Sequence, residues 1–238
     1  MLQSVPIGIL SFPSGGYAPA GAIYFDGSAD YLSFTPSSTT GNKKFTFSCW
    51  LKTSASHSPA GTVFSALTND TNRCAIQIED TGFLDFHSDV SNSRITDLHT
   101  TSKYLDPTAW FNLILVYDST VSTPSGSSIF FMINGTKVVE GGYGNLDAHD
   151  YASQNGVTQI CTASTPMIIG MFNYSSTPQS FYKGYMADVI LLDGVASTDG
   201  SEFGELSDNG IWVPKNPSDI SSFGTNGFWL DFSDGSDI

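Results

Sequence analysis

Apolar and polar residues alternate in short runs along the whole chain, and no long window keeps the 3.6-residue stripe of an amphipathic helix. That pattern predicts strands near residues 23–25, 31–34, 45–52, 62–67, 74–79 and 83–87. It predicts more near 111–117, 128–133, 137–140, 167–171, 185–192 and 227–232. Side chains alternate across a strand, so Phe45, Phe47, Cys49 and Leu51 face one way and Thr46, Ser48 and Trp50 the other. The consequence is an all-β fold of two packed antiparallel sheets. The clearest local signal is Ile133-Asn134-Gly135-Thr136 between two β-rich runs. A type I′ turn needs φ > 0 at both central residues, which Asn and Gly tolerate best.

Ser, Thr, Gly, Pro and Asn separate the strands. Residues 119–128 and 141–165 read as exposed loops, and loops of that length in a compact domain are often functional. One short helix is expected at residues 202–206. A single domain suffices for 238 residues, because β sandwiches commonly reach that size. We divide the chain into an uncharged, Pro/Gly-rich arm over residues 1–21, suited to docking on a partner subunit, and a domain over residues 22–238.

Charge removes several functions. Nine Lys and Arg stand against 23 Asp and Glu, a net charge of -14, so the basic face needed to neutralise phosphates is absent and nucleic acid is excluded as a partner. No apolar run approaches the roughly 18 residues of a membrane span, so no membrane insertion is expected, and the N-terminus does not read as a signal peptide. Cys49, Cys74 and Cys161 have no C-x-x-C spacing, which argues against zinc and against a disulfide framework.

Four segments, in this order, resemble the concanavalin A-like jelly-roll superfamily, and within it laminin-G-like and pentraxin-like domains. Ile23-Tyr24-Phe25-Asp26-Gly27-Ser28-Ala29-Asp30-Tyr31-Leu32 is similar to that family's first hairpin, and Phe45-Thr46-Phe47-Ser48-Cys49-Trp50-Leu51-Lys52 to the strand that follows. The third match is the stretch from Trp110 to Asp118 with Phe131-Met132-Ile133-Asn134-Gly135. The fourth is Ile168-Ile169-Gly170 with Phe181-Tyr182-Lys183-Gly184-Tyr185-Met186-Ala187-Asp188-Val189. The C-terminal run Phe228-Trp229-Leu230-Asp231-Phe232, with the acidic, Ser/Thr-rich style of the chain, resembles jelly-roll proteins of tailed bacteriophages. Ending on such a run leads us to expect that the chain continues beyond residue 238.

Enzymatic readings find little support in the motifs. Related glucanases present carboxylates as E-x-D-x-E on one strand, whereas the nearest acids, Glu79 and Asp80, are adjacent, so they point to opposite faces of a strand or sit in its turn. No G-x-S-x-G occurs, and His57, His87, His99 and His149 each lack a flanking motif, so they read as surface or turn histidines. Jelly-roll lectins often hold calcium through oxygen ligands, and the resemblance makes calcium the metal to consider, with Asp26, Asp30, Asp147 and Asp150 as candidate ligands. A glycan needs an aromatic platform beside groups that bond its hydroxyls, and Tyr143, Asn145 and Asp147, with Asn173 and Tyr174, offer that mixture.

Two classes of non-enzymatic function remain. One is a virion structural module of a phage fibre, spike or head decoration, assembled in the host cytoplasm and displayed on the virion surface. Its partners would be other virion proteins, copies of itself as a homo-oligomer (a trimer, as the resemblance implies) and host-surface glycans. The other is an extracellular carbohydrate-binding lectin of laminin-G or pentraxin type.

Overall fold

The computed structural model describes residues 3–5 and 16–233, so most of the expected arm lies outside the described residues. Strands are numbered in chain order. The first sheet runs β1 (Gln3–Val5), β2 (Ala22–Asp26), β16 (Lys183–Asp193), β4 (Lys44–Thr53), β9 (Phe111–Asp118), β10 (Ile129–Ile133), β11 (Thr136–Lys137), and β19 (Phe228–Leu230) also pairs with β16. The second runs β12 (Leu146–Asp150), β8 (Ser93–Lys103), β7 (Phe83–Val90), β6 (Asn72–Ile78), β5 (Gly61–Asn69), β13 (Met167–Ile169), β3 (Leu32–Phe34). Two small hairpins, β14 (Phe172–Tyr174) with β15 (Thr177–Gln179) and β17 (Gly204–Leu206) with β18 (Trp212–Pro214), complete the fold. The pairings within these sheets are antiparallel, as in a concanavalin A-like jelly-roll sandwich.

Alternation builds the core as expected. Phe45, Phe47, Cys49 and Leu51 of β4 point between the sheets and are fully buried. Phe47 stacks on Phe64 of the facing sheet at 4.6 Å, and Phe45 on Tyr117 at 5.3 Å. Burying rings of this size contributes most of the cohesion between the layers.

The outer face of the first sheet is covered as well. Ile114, Val116, Phe130, Met132, Ile190 and Leu192 pack under Phe203, Ile220 and Phe223, while Trp50 packs with Ala22, Ala187, Trp110 and Trp212. With the outer face of the first sheet covered by apolar packing, the polar outer face of the second sheet is the candidate.

Three expectations are corrected. Residues 202–206 hold no helix: Gly204–Leu206 is β17, because pairing with β18 lets Trp212 cap the first sheet. The stretch 141–165 is not all loop, since β12 adds an edge strand to β8. β8 itself was not anticipated, because its outward positions are charged or polar and its inward ones include Thr. The hairpin at Asn134-Gly135 formed as expected, with φ of 48° and 71° and Ile133 opposite Thr136. A Cβ on Gly135 would sit 2.4 Å from the Trp212 ring. We therefore expect Gly135→Ala to lower stability by about 2 kcal/mol through left-handed strain and this contact, read as a fall in thermal midpoint.

Candidate functional site: the outer face of the second sheet

In β7, Leu84 and Phe86 enter the core, so Asp85, His87 and Asp89 face outward at alternate positions. Register places three rows across β6, β7 and β8. They are Arg73, Asp89 and Arg94; Ala75, His87 and Asp97; and Gln77, Asp85 and His99. On β5, Ser65 lies beside Ala75 and Thr62 beside Gln77, and the Gln77 amide donates to Thr62 Oγ1 at 2.8 Å. The face is thus a polar floor with Ala75 as its low point.

Asp89 sits between two guanidinium groups, with Arg73 Nε donating at 2.9 Å and Arg94 Nε at 2.6 Å. Burial alone would raise its pKa, but the hydrogen bonds and charges of Arg94 and Arg73 prevail and hold it below the usual carboxylate value. Arg94 also donates to Asp97 at 3.1 Å, and there burial and the nearby Asp85 outweigh Arg94, so Asp97 is shifted upward. His87 Nδ1 lies 2.6 Å from Asp85 Oδ2.

Each margin of the floor carries residues predicted from sequence. At the β12 margin, His99 is held between Asp147 Oδ1 at 2.5 Å from Nδ1 and Glu79 Oε2 at 3.2 Å from Nε2. Burial disfavours its charge, yet the hydrogen bonds to Asp147 and Glu79 outweigh that and raise its pKa. The protonated imidazole therefore favours the fold below the ordinary histidine pKa, and this contribution is lost as pH rises through the raised one. Tyr143 is exposed in the loop before β12, and Asn145 closes that loop by accepting from Gly141 N–H and donating to Thr101 Oγ1.

At the other margin the β14–β15 hairpin stands against β5. It is pinned by Ser65 Oγ donating to the Met171 carbonyl at 2.8 Å and by Ser175 donating twice to Asp70. Phe172 meets His87 edge-on at 6.2 Å, and the Arg73 guanidinium lies 4.7 Å over the Tyr174 ring. Asn173 lies between them, its Oδ1 buried with no hydrogen-bond partner in the protein. With strands about 4.8 Å apart, β12 and β5 frame a surface about 19 Å wide.

The fold thus gathers Asp147 and Tyr174 at opposite margins of one surface, through His99 and Arg73. Asp150, exposed on β12, stands beside Asp97. Asp26 and Asp30 lie elsewhere, in the turn after β2. Asp26 Oδ1 accepts from Ser28 N, Ser28 Oγ and Ala29 N, and Asp30 Oδ2 accepts from Asp26 N. Calcium asks for six to eight oxygen ligands. Among the described residues no group of three or more His, Cys, Asp or Glu is placed to hold a metal, and Asp26, Asp30 and Asp147 each bond to groups of the protein. Sequence reading missed Asp85 and Asp89 and took His87, buried within β7, for a surface or turn histidine, although Asp-x-His-x-Asp inside a strand is the signal that marks one face.

The chain is thus a two-sheet β sandwich with apolar cover on one outer face and a polar surface on the other. The sequence matches the concanavalin A-like lectin/glucanases superfamily over residues 26–199, and the chain belongs to it. No curated protein is similar to it in sequence. Among solved structures, the fold is similar to a heptameric SAP-like pentraxin from Limulus polyphemus, with TM-score 0.53 and 15% identity, covering 88% of this chain and 91% of that one. It is also similar to domain 4 of AbnA, an extracellular arabinanase from Geobacillus stearothermophilus in complex with arabinotriose, with TM-score 0.52, 16% identity and coverage of 83% and 84%. Tailspike protein 2 of an Escherichia coli O157:H7 bacteriophage aligns with TM-score 0.50 and 11% identity over 78% of this chain and 25% of that one. At these identities the likeness is one of fold, and this fold is mainly of the carbohydrate-binding type.

Proposed function

We propose that the chain is a non-enzymatic carbohydrate-binding module whose site is the outer face of β5 to β8 and β12. The observation that carries this reading is the floor of ordered donors and acceptors between an aromatic margin at Phe172 and Tyr174 and a second margin at His99 and Asp147. Sugars combine hydroxyls with apolar ring faces, and rigid, preformed polar groups beside an aromatic ring meet both demands. Asp89 is saturated by two arginines, so it stabilises the floor rather than exchanging protons.

The setting we propose is a virion appendage, a phage fibre, spike or head decoration that attaches to host-surface glycans. The net charge of -14 suits many copies held at high local density, and a tailspike shares the fold. The pentraxin likeness, which spans nearly the full length of both chains, favours the second reading, a secreted lectin. Light scattering separates them: a homo-oligomer that becomes monomeric when residues 1–20 are removed supports the docking arm and the virion setting, and an oligomer that survives the truncation, or a monomer in both cases, supports the lectin.

Screening the purified chain on a glycan array, with calcium and with chelator, tests the binding reading and the four candidate aspartates together. Tyr174→Ala is expected to weaken the best ligand about tenfold by removing one stacking surface, without lowering the thermal midpoint appreciably. Array-wide absence of binding, or a Tyr174→Ala protein that binds as well as the parent, overturns the proposal for this face.

A further inference from the structure

Where the chain after β16 crosses the outer face of the first sheet, it leaves a cavity of about 330 Å³, at the small end of the ~300–1,000 Å³ range of small-molecule sites. Its floor is Val116 of β9 and Phe130 of β10, and one wall is Ala196, Ser197 and Thr198. The wall is fixed, because Thr46 Oγ1 donates to the Val195 carbonyl and accepts from Ser197 N, each at 2.9 Å. Register explains which charges gather there. Val116, Phe130 and Met132 belong to the apolar set of the outer face, so Lys137, opposite Met132, stands on that face, as do Asp118, two residues on from Val116, and Lys44 opposite it.

The charged side chains that line the cavity are Lys44, Asp118 and Lys137. Asp118 is fully engaged. Its Oδ2 pairs with Lys44 Nζ at 3.0 Å, and its Oδ1 accepts from Thr120 N at 2.9 Å and from Thr120 Oγ1 at 2.5 Å. Burial alone would raise its pKa, but Thr120 and Lys44 prevail and hold it below the usual carboxylate value, so it is ionised at neutral pH. Lys137 has no such arrangement. Its ammonium lies 3.7 Å from the centre of the Phe130 ring, and among the described residues it has neither a carboxylate at ion-pairing distance nor a hydrogen-bond acceptor. Partial burial with no opposing charge lowers its pKa. The ring face offsets part of that cost, yet the N–H donors of the ammonium stay without a protein acceptor. A cation is thus left over inside a cavity of a chain whose net charge is -14.

We propose that this cavity binds a small monocarboxylate with an apolar body, at a site separate from the outer face of the second sheet and independent of the function proposed for it. The carboxylate accepts from the Lys137 ammonium and from an N–H of Lys44 that Asp118 does not use, and charge-assisted hydrogen bonds of this kind are the strong ones. The apolar body lies against Val116, Val121 and Ala196, and it covers Val121, which is 37% exposed. Charge decides the class of ligand. Two ammonium groups and one carboxylate leave a single positive charge, which a monoanion neutralises. A multiply charged anion such as phosphate would carry excess charge beside Asp118, a neutral ligand would leave Lys137 unpaired, and a cation would meet both ammonium groups.

The test is ¹H–¹³C NMR of the full chain labelled at lysine, during titration with sodium benzoate and with sodium butyrate, with benzyl alcohol as the neutral control and inorganic phosphate as the multiply charged one. The expected result is a saturable shift of the Lys137 and Lys44 ε-methylene signals with at least one of the two acids, and binding of both controls weaker by about tenfold or more. Lys137→Met keeps an apolar stem over Phe130 without the charge and should weaken binding of that acid, read at Lys44, about tenfold or more. Val121→Asp, at an exposed position, cancels the positive charge of the cavity without touching Lys137 and should weaken it as well, which guards against a misfolded Lys137 variant. Tyr174→Ala should leave the lysine shifts intact, which separates this site from the outer face of the second sheet. No saturable shift with either acid, a control bound as tightly as the acid, or undiminished binding by either cavity variant overturns the proposal.

Discussion

Replacing Asp89 with alanine should lower the free energy of unfolding by about 3 kcal/mol at neutral pH, measured by urea denaturation. Asp89 is 5% exposed and is the shared partner of Arg73 and Arg94. Its loss removes the carboxylate that Arg73 pairs with and leaves Arg94 with Asp97 alone, at 3.1 Å. Arg94 is the more exposed, at 39% of its side chain, so water offsets part of the loss and the lower end of the usual 3–5 kcal/mol range applies. Because the pKa of Asp89 is lowered in the fold, its contribution is present above the unfolded value, and it fades as pH falls through the folded one. Asp89→Asn, which keeps the shape, should cost less. A loss below about 1 kcal/mol would mean that the arginines find other acceptors, and the floor would not be the rigid surface a ligand requires.

The second large effect has the opposite sign. Asp188 lies where the register of β16 shifts against β4, with φ of 42° and 2% exposure. Its Oδ1 accepts from Trp229 Nε1 at 2.8 Å and from the Tyr17 hydroxyl at 3.2 Å, while Oδ2 has no hydrogen-bond partner in the protein. Burial raises its pKa to about 6, with Asp231 adding to the rise and the two hydrogen bonds opposing it. A carboxyl whose pKa is higher in the fold than in the unfolded chain imposes no penalty below the unfolded value. The penalty grows between the two values and is complete above the higher one.

Shifting from 3.8 to about 6 corresponds to about 3 kcal/mol. Asp188→Asn removes the charge and keeps an acceptor for Trp229 and Tyr17. Its stability relative to the parent should therefore be about 3 kcal/mol more favourable at pH 7.5 than at pH 3.5. A pH-independent difference would show that the pKa of Asp188 is the same in the fold as in the unfolded chain. The Asn amide in place of Oδ2 contributes equally at both pH values, so it does not disturb the comparison.

Much of the sandwich was legible because burial imposes a period of two on each core strand. Phe45 to Leu51 of β4, and Phe83 to His87 at the start of β7, are apolar inside, and that pattern survives in the linear sequence. β8 and β12 were not legible. β8 presents Arg94, Asp97 and His99 outward, β12 is an edge strand, and polar residues facing water resemble those of a loop until a partner strand fixes them. The same limit applied to the site. Tyr143, Asn145, Asp147, Asn173 and Tyr174 stood out as mixed aromatic and polar loops, but only pairing through His99 and Arg73 relates Asp147 and Tyr174 to one surface.

By itself the sequence determined an all-β sandwich, the inward set of β4, the turn at Asn134-Gly135 and an acidic surface unsuited to nucleic acid. These follow from local backbone preference, from alternation and from charge, which need no knowledge of distant neighbours. Tertiary structure alone decided that the outer face of the first sheet is closed by the chain after β16. It also decided that Asp89 lies between two arginines and that His57 is buried without a partner. Those facts depend on residues far apart in sequence, such as Trp212 with Trp50 or His99 with Asp147, meeting where the sheets pack, and no local pattern encodes such a meeting.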